Sequence, residues 1–266
     1  MRIIDFHTHA FPDELAEKAI GRLHERSGDY RAYHDGTVSG LLGSMDRAGI
    51  EQAVIASIAT RPEQVPNITD WSIRIRSERI IPFASIHPDF RDFAEELDRI
   101  KDAGLRGIKL HPMYQEFVLD DPALLPLYRA IADRDLVCLF HAGWDIAFPD
   151  NDQASPRRIL HVHEAVPTLK IVASHLGGWH VWDEVAELLL GRPIYLETSF
   201  AIREAEASVF RRIIENHSPD YFLFGSDSPW QNQKEELDGW KSLDISESFK
   251  EKIFFKNASR LLGEEL

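Results

Sequence analysis

Short apolar runs rich in Ile, Val and Phe recur along the chain, each too short for a helix and each bounded by turn residues. Such runs read as strands buried on both faces, the pattern of a parallel sheet. In order they span Arg2–His9, Gln52–Ala59, Ile80–Pro88, Arg106–Pro112, Leu136–Gly143, Lys170–Gly178, Ile194–Phe200 and Tyr221–Pro229. Amphipathic stretches lie between them. Asp89-Phe90-Arg91-Asp92 opens a helix that runs to Ala103 and closes at Gly104, a glycine suited to the left-handed stop. Asp121-Pro122 opens another with proline at the first helical position, and Ser155-Pro156 and Ser246 open two more. Strand starts fall about 24–34 residues apart, the period of a βα unit, except the first pair at about 50.

Eight alternations of strand and helix in this length predict an α/β protein, a (β/α)8 TIM barrel. The long first interval predicts a short helical insertion after strand one, around Pro12–Asp35. No linker or low-complexity stretch divides residues 1–266, so a single domain is expected.

Composition narrows the function. Thirty Lys and Arg against 44 Asp and Glu leave a net charge of −14, which disfavours nucleic acid and anionic lipid as partners. The lone cysteine, Cys138, cannot form an internal disulfide and suits a reducing, cytoplasmic setting. The start MRIIDFHTHAFPDE is too polar for a signal peptide, and no apolar run is long enough to span a membrane. Twelve histidines beside one cysteine mean that any metal chemistry uses imidazole and carboxylate.

Chemistry in such barrels sits at the C-terminal ends of the strands. Strand one ends Asp5-Phe6-His7-Thr8-His9, where alternation puts Asp5, His7 and His9 on one face. Strand four ends Lys109-Leu110-His111-Pro112, strand five Phe140-His141-Ala142-Gly143, strand six Ser174-His175-Leu176-Gly177-Gly178, and strand eight Gly225-Ser226-Asp227-Ser228-Pro229. His7, His9, His141, His175 and Asp227 therefore share the rim, with Lys109 and His111 beside them. Each has a plainer explanation alone, as a hydrogen-bonded strand-end residue or a turn former. His161-Val162-His163 repeats the spacing in a predicted helix, where i and i+2 face apart, and reads as surface. His24, His34 and His217 get the same surface reading, and His87 that of a loop histidine. Burying the rim set together without a metal would be costly. Neutral imidazole with carboxylate is the ligand set of a catalytic divalent ion.

These motifs, in order and on these strands, resemble the amidohydrolase superfamily. They are most similar to the branch holding amino-carboxymuconate-semialdehyde and resorcylate decarboxylases and many metal-dependent hydrolases. The resemblance runs over essentially the whole chain and includes Phe11-Pro12 after the first motif and Trp230 after the last. It implies His7, His9, His141 and Asp227 as metal ligands, with Asp227 also taking a proton from metal-bound water. His175 is implied as the catalytic acid or base. The implied function is a metal-dependent hydrolase, its bound water acidified to a pKa of about 7 and attacking a small amide, ester or lactone. The alternative is non-oxidative decarboxylation of an aromatic or unsaturated carboxylic acid on the same site. One Zn2+ is favoured, with Mn2+, Fe2+ and Co2+ using similar ligands. A binuclear site remains open, with Lys109, carboxylated or not, as the bridge and His141 and His175 on the second ion, and Lys109 and His111 count as second-metal or substrate-binding candidates. Otherwise Lys109 is an ammonium able to pair with a substrate carboxylate.

Phe11, Met113, Tyr114, Trp144, Trp179 and Trp230 follow the motif strands. Trp144 and Trp179 suit an aromatic or apolar pocket as well as they suit core packing. His180, Asp183 and Arg203 lie nearby in sequence with a surface reading for each. The expected partner is a small, anionic or aromatic molecule, and exposed aromatics would serve a homodimer interface as readily as a pocket.

Overall fold

Strand and helix alternate in the computed structural model, which describes residues 1–25 and 30–263. The strands are β1 (Ile4–Thr8), β2 (Gln52–Ala56), β3 (Ile80–Phe83), β4 (Gly107–Leu110), β5 (Val137–Phe140), β6 (Lys170–Ala173), β7 (Tyr195–Glu197) and β8 (Phe222–Leu223). All neighbouring pairs are parallel, in ladders β1-β2-β3 and β4-β5-β6-β7-β8. Backbone bonds cross both seams. Lys109 N donates to Ala84 O at 2.8 Å between β3 and β4, and Phe6 N donates to Phe224 O at 2.8 Å between β8 and β1. The strand order and these seams are those of a TIM barrel.

Each predicted strand is present but shorter than its apolar run, because the last residues leave the ladder. His175, Leu176 and Asp227 take φ of 58°, 54° and 55°, a region that non-glycine residues seldom occupy. Such conformations cluster where side chains are aimed for function. The helix signals read correctly. Asp121 caps Ala123 N at 2.9 Å, Ser246 caps Phe249 N at 3.2 Å, and Gly104 turns left-handed after helix Phe93–Asp102. Each side-chain cap of this kind is worth about 1 kcal/mol. The helix opened by Ser155 runs Pro156–Ala165.

The insertion after β1 does carry a helix, Asp13–His24. Residues 26–29 of the predicted insertion lie outside the described residues. Its returning end is pinned to the rim: Tyr33 N donates to Pro229 O at 2.8 Å, and His34 Nε2 lies 3.1 Å from Ser228 Oγ. Among the described residues no helix is long and apolar enough to cross a membrane.

Two apolar clusters follow from the two buried faces of the strands. Ile4, Phe6, Val54, Ala56, Phe83, Leu139, Val172 and Leu223 form the inner one, and the last helix, Asn257–Leu262, packs Leu261 and Leu262 on it. The outer cluster lies between strands and helices. β1 departs from simple alternation. Ile4 pairs with Gln52 and Asp5 with Ala53, but Thr8 pairs with Ile55, so the register slips by one residue. Such an irregularity re-aims side chains. It lets Phe6 enter the inner cluster while His7 still reaches the rim.

Candidate metal centre

His7, His9 and Asp227 converge at the seam between β1 and β8. Their ligand atoms lie within 4.8 Å of one another. Asp227 N donates to His7 O at 2.8 Å, so the backbone sets the two loops against each other. Asp227 Oδ1 is 2.9 Å from His9 Nε2 and 3.4 Å from His7 Nε2. It is nonetheless buried and accepts no hydrogen bond. A buried anionic oxygen facing ring nitrogens out of line for hydrogen bonding is costly on its own. The same three atoms suit a divalent cation, and this donor chemistry fits the ion the sequence implied.

Two buried carboxylates support this set. Glu197, at the end of β7, places Oε2 2.8 Å from His7 Nδ1. That bond leaves His7 Nε2 as the ring nitrogen whose lone pair would face a metal, the usual carboxylate–histidine arrangement behind one. Gly225 makes room for it, since a Cβ there would lie 2.0 Å from Glu197 Oε1. Asp5 accepts from Ser226 N at 3.0 Å, Ser226 Oγ at 2.5 Å and Gln233 Nε2 at 2.8 Å, tying β1 to the Asp227 loop. Burial pushes the Glu197 carboxyl up to about 8 and that of Asp5 to about 6, and a divalent ion on His7 would pull Glu197 back towards the carboxylate. Glu197 and its role were not read from the sequence, where it falls inside the run Ile194–Phe200.

His141 is placed differently from the other implied ligands. It gathers with His111 and Asp145 rather than with His7, His9 and Asp227. Its ring stacks on His111 at 4.1 Å, and its Nε2 meets the Trp144 carbonyl at 2.6 Å. His111 Nε2 lies 3.3 Å from Asp145 Oδ2. His175 bridges the two groups: its ring centroid is 5.4 Å from that of His7, and its Nε2 is 3.2 Å from His141 Nδ1. Lys109 faces inward as predicted, with Nζ 3.3 Å from His7 Nε2 and 3.3 Å from Ser174 Oγ. Asp145, like Glu197, carried no periodic signal that sequence reasoning used.

Burial holds His7, His111, His141 and His175 well below the ordinary imidazole range, so all four are neutral. Burial also lowers Lys109 to about 8, against the pull of Asp227, Glu197 and Asp145, so it is largely an ammonium at neutral pH.

The loops after β5 and β6 are locked together. Trp144 N donates to Trp179 O at 3.0 Å and Trp179 N to Ala142 O at 3.0 Å. Gly143, with φ of 85°, lies so near that a Cβ would meet Trp179 N at 2.2 Å. Trp144 is half-buried and stacks on His180, while Trp179 is buried and donates to Glu204 at 2.8 Å. Tyr114 sits edge-on to both His111 and Phe148. Asp183 and Arg203 are exposed, as expected, and so is His161. His87 accepts from Asp89 N at 3.1 Å, the expected loop role. His217 and His34 are corrections. His217 is buried, with Nε2 3.0 Å from Ile194 O, and His34 is partly buried against the rim rather than at the surface.

A family described as amidohydrolase matches residues 4–263. No curated protein matches. Among solved structures, an uncharacterized TIM-barrel protein from Bordetella bronchiseptica is 23% identical, with TM-score 0.81 and 99% of each chain covered. The 5-carboxyvanillate decarboxylase from Sphingomonas paucimobilis is 17% identical, with TM-score 0.73 and 99% of each chain covered. A dihydroxybenzoic acid decarboxylase from Polaromonas, solved with bound manganese, is 18% identical, with TM-score 0.72 and 98% and 97% covered. At these identities the likeness concerns the fold. The match over nearly the full chain, on a barrel whose rim carries the expected histidines and aspartate, makes this protein a member of the amidohydrolase family.

Proposed function

We propose that the protein is a metal-dependent decarboxylase of a hydroxylated aromatic carboxylic acid. The observation that carries this reading is Lys109. Its ammonium is buried 3.3 Å from His7 Nε2, and among the described residues no carboxylate lies within ion-pair distance. A divalent ion on His7, His9 and Asp227 and the Lys109 ammonium would repel each other unless an anion lay between them. A substrate carboxylate is such an anion, and a neutral amide or lactone is not. The two decarboxylases of similar fold are named for aromatic carboxylic acids, which supports the same class.

The ion, zinc by the ligand types or manganese as in the Polaromonas structure, would stabilise negative charge on a substrate oxygen. Lys109 would pair with the carboxylate and orient it. Breaking the ring carbon–carboxyl bond releases CO2 and leaves the electron pair on the ring carbon. His175 would relay a proton from solvent to that carbon, taking one up on its second ring nitrogen as it gives one, so each turnover consumes one proton. Tyr114, edge-on to His111 and Phe148, and Trp144, stacked on His180, would supply aromatic contacts to the substrate ring. Hydrolysis, the main expectation from sequence, stays as the second reading because Asp227 Oδ1 is unbonded and could take a proton from water.

The test is incubation of the metal-loaded protein with 2,6-dihydroxybenzoate, 5-carboxyvanillate and aryl esters or lactones. Release of CO2 from the acids is expected. Ester or lactone hydrolysis without any CO2 release would overturn the reading in favour of the second.

A further inference from the structure

Residues 30–36, the returning arm of the insertion after β1, are held to the rim from two sides. On one side they bond the loop after β8, through Tyr33 N to Pro229 O and His34 Nε2 to Ser228 Oγ. On the other side stands Glu204. Its Oε1 accepts from the Tyr30 hydroxyl at 3.0 Å and its Oε2 from Trp179 Nε1 at 2.8 Å, so one carboxylate joins the arm to the loop after β6. The rings of Tyr30, Trp179 and Phe200 meet edge-on in a closed triangle. Tyr30 lies 6.3 Å from Trp179 and 5.8 Å from Phe200 between centroids, and Trp179 lies 5.8 Å from Phe200. Phe200 in turn meets the His175 ring edge-on at 5.6 Å, so a single ring separates Tyr30 from His175.

The two ends of this contact differ in how firmly they are anchored. Glu204 closes the short helix Ala201–Glu204, and Arg203 beside it pairs with Glu235 at 2.6 Å and Glu236 at 3.1 Å on helix Gln233–Ser242. The insertion is packed lightly: of the described side chains of helix Asp13–His24 only Ala16 is buried, and Leu15 is 51% exposed. Segments with few buried apolar contacts open locally at small cost. Glu204 is half-buried, so water can replace the Tyr30 hydroxyl on Oε1 without leaving a buried charge unpaired. We propose that Glu204 is a positioning residue that latches residues 30–36 beside His175, and that release of Tyr30 opens this side of the barrel mouth for substrate to enter and product to leave. Closed, the latch keeps water from the proton-transfer group, as closing loops do in other active sites. The latch does not depend on which reaction follows. Its effect on KM rests on the decarboxylase reading.

The test compares the zinc-loaded protein with Tyr30→Phe, Glu204→Ala and the two combined. Losing a hydrogen bond to a charged group should quicken amide exchange at Ala32 and Tyr33 by about 10-fold, with the amides of β4 and β5 unchanged. Extraction of zinc by a chelator should quicken too, at unchanged zinc affinity. The combined variant should be no faster than Glu204→Ala alone, because both changes break one contact. Glu204→Gln, which can accept from Trp179 through its oxygen and donate to Tyr30 through its amide, should restore slow exchange. Tyr30→Phe should also raise KM for 2,6-dihydroxybenzoate more than it lowers kcat. Exchange and zinc extraction in Tyr30→Phe at the parent rates overturn the proposal, as does a combined variant whose effect is the product of the single ones. If Glu204→Ala does not fold, Tyr30→Phe decides it. Exchange and extraction require no turnover, so failure of the decarboxylase reading would be seen separately, as absence of CO2.

Discussion

His7 Nδ1 and Glu197 Oε2 meet at 2.8 Å with both side chains buried, so the ring is turned by a carboxylate on β7, two strands away across β8. That contact directs Nε2 towards His9 and Asp227. If it orients a ligand, Glu197→Gln should weaken metal binding by about 10–100-fold while leaving the fold intact. Metal titration followed by calorimetry measures this. Unchanged affinity would mean that Glu197 only fills the barrel.

The same carboxylate constrains a glycine. A Cβ at Gly225 would approach Glu197 Oε1 to 2.0 Å, in a buried place where neither group can withdraw. Gly225→Ala should cost about 1–3 kcal/mol of stability, the usual penalty of overpacking. Gly21 supplies the control: it lies in helix Asp13–His24, and a Cβ added there would have nothing within 4 Å. Gly21→Ala should be neutral or stabilising by up to ~1 kcal/mol. Chemical denaturation of the two variants separates the effects.

Lys109 lends itself to a double readout. A buried ammonium with no carboxylate partner destabilises a protein that has no ligand bound. Lys109→Met should therefore leave the thermal midpoint unchanged or raise it. Turnover should suffer instead, because losing one charge-assisted bond of roughly 1.5–3 kcal/mol lowers kcat/KM by about 10–100-fold. A large loss of stability with activity retained would contradict this assignment.

Glu236 gives a pH dependence away from the metal ligands. It is fully buried, and burial raises its carboxyl from the ordinary 4.5 to about 7, although Arg203 Nε lies 3.1 Å away and opposes the shift. The folded protein thus holds this proton more tightly than the unfolded chain does. Its contribution to stability is complete below about pH 4.5 and is lost as the pH rises through 7. Glu236→Gln should be increasingly favoured over the parent between about pH 5 and 8, by up to ~3 kcal/mol. Urea denaturation at both ends of that range checks it, and a constant difference would contradict it.

The strands and most helix ends were legible because burial on both faces leaves uninterrupted apolar runs, and because caps such as Asp121 and Ser246 are local. Local rules failed where the backbone leaves them. Alternation in β1 groups Asp5 with His7, yet the register slip turns Asp5 to Ser226 and Gln233 while His7 faces the rim. His217 resembled a helix-end surface residue, and only the tertiary fold supplies the Ile194 carbonyl that buries it. Asp145 meets His111 through a loop after β5, and no period in the sequence announces a loop contact. Glu197 is a different case: it falls inside the run Ile194–Phe200, and β7, Tyr195–Glu197, is too short for alternation to show which face it lines.

On the decarboxylase reading, metal held by His7, His9 and Asp227 is required for loss of CO2. Its most direct measurement is the rate of CO2 release from a hydroxylated benzoate as metal is added back to chelator-treated protein. No rate is expected without metal, then a rise that saturates at about one equivalent per chain, and no recovery in Asp227→Ala at any metal level. Full CO2 release from metal-free protein, or from Asp227→Ala, would contradict it.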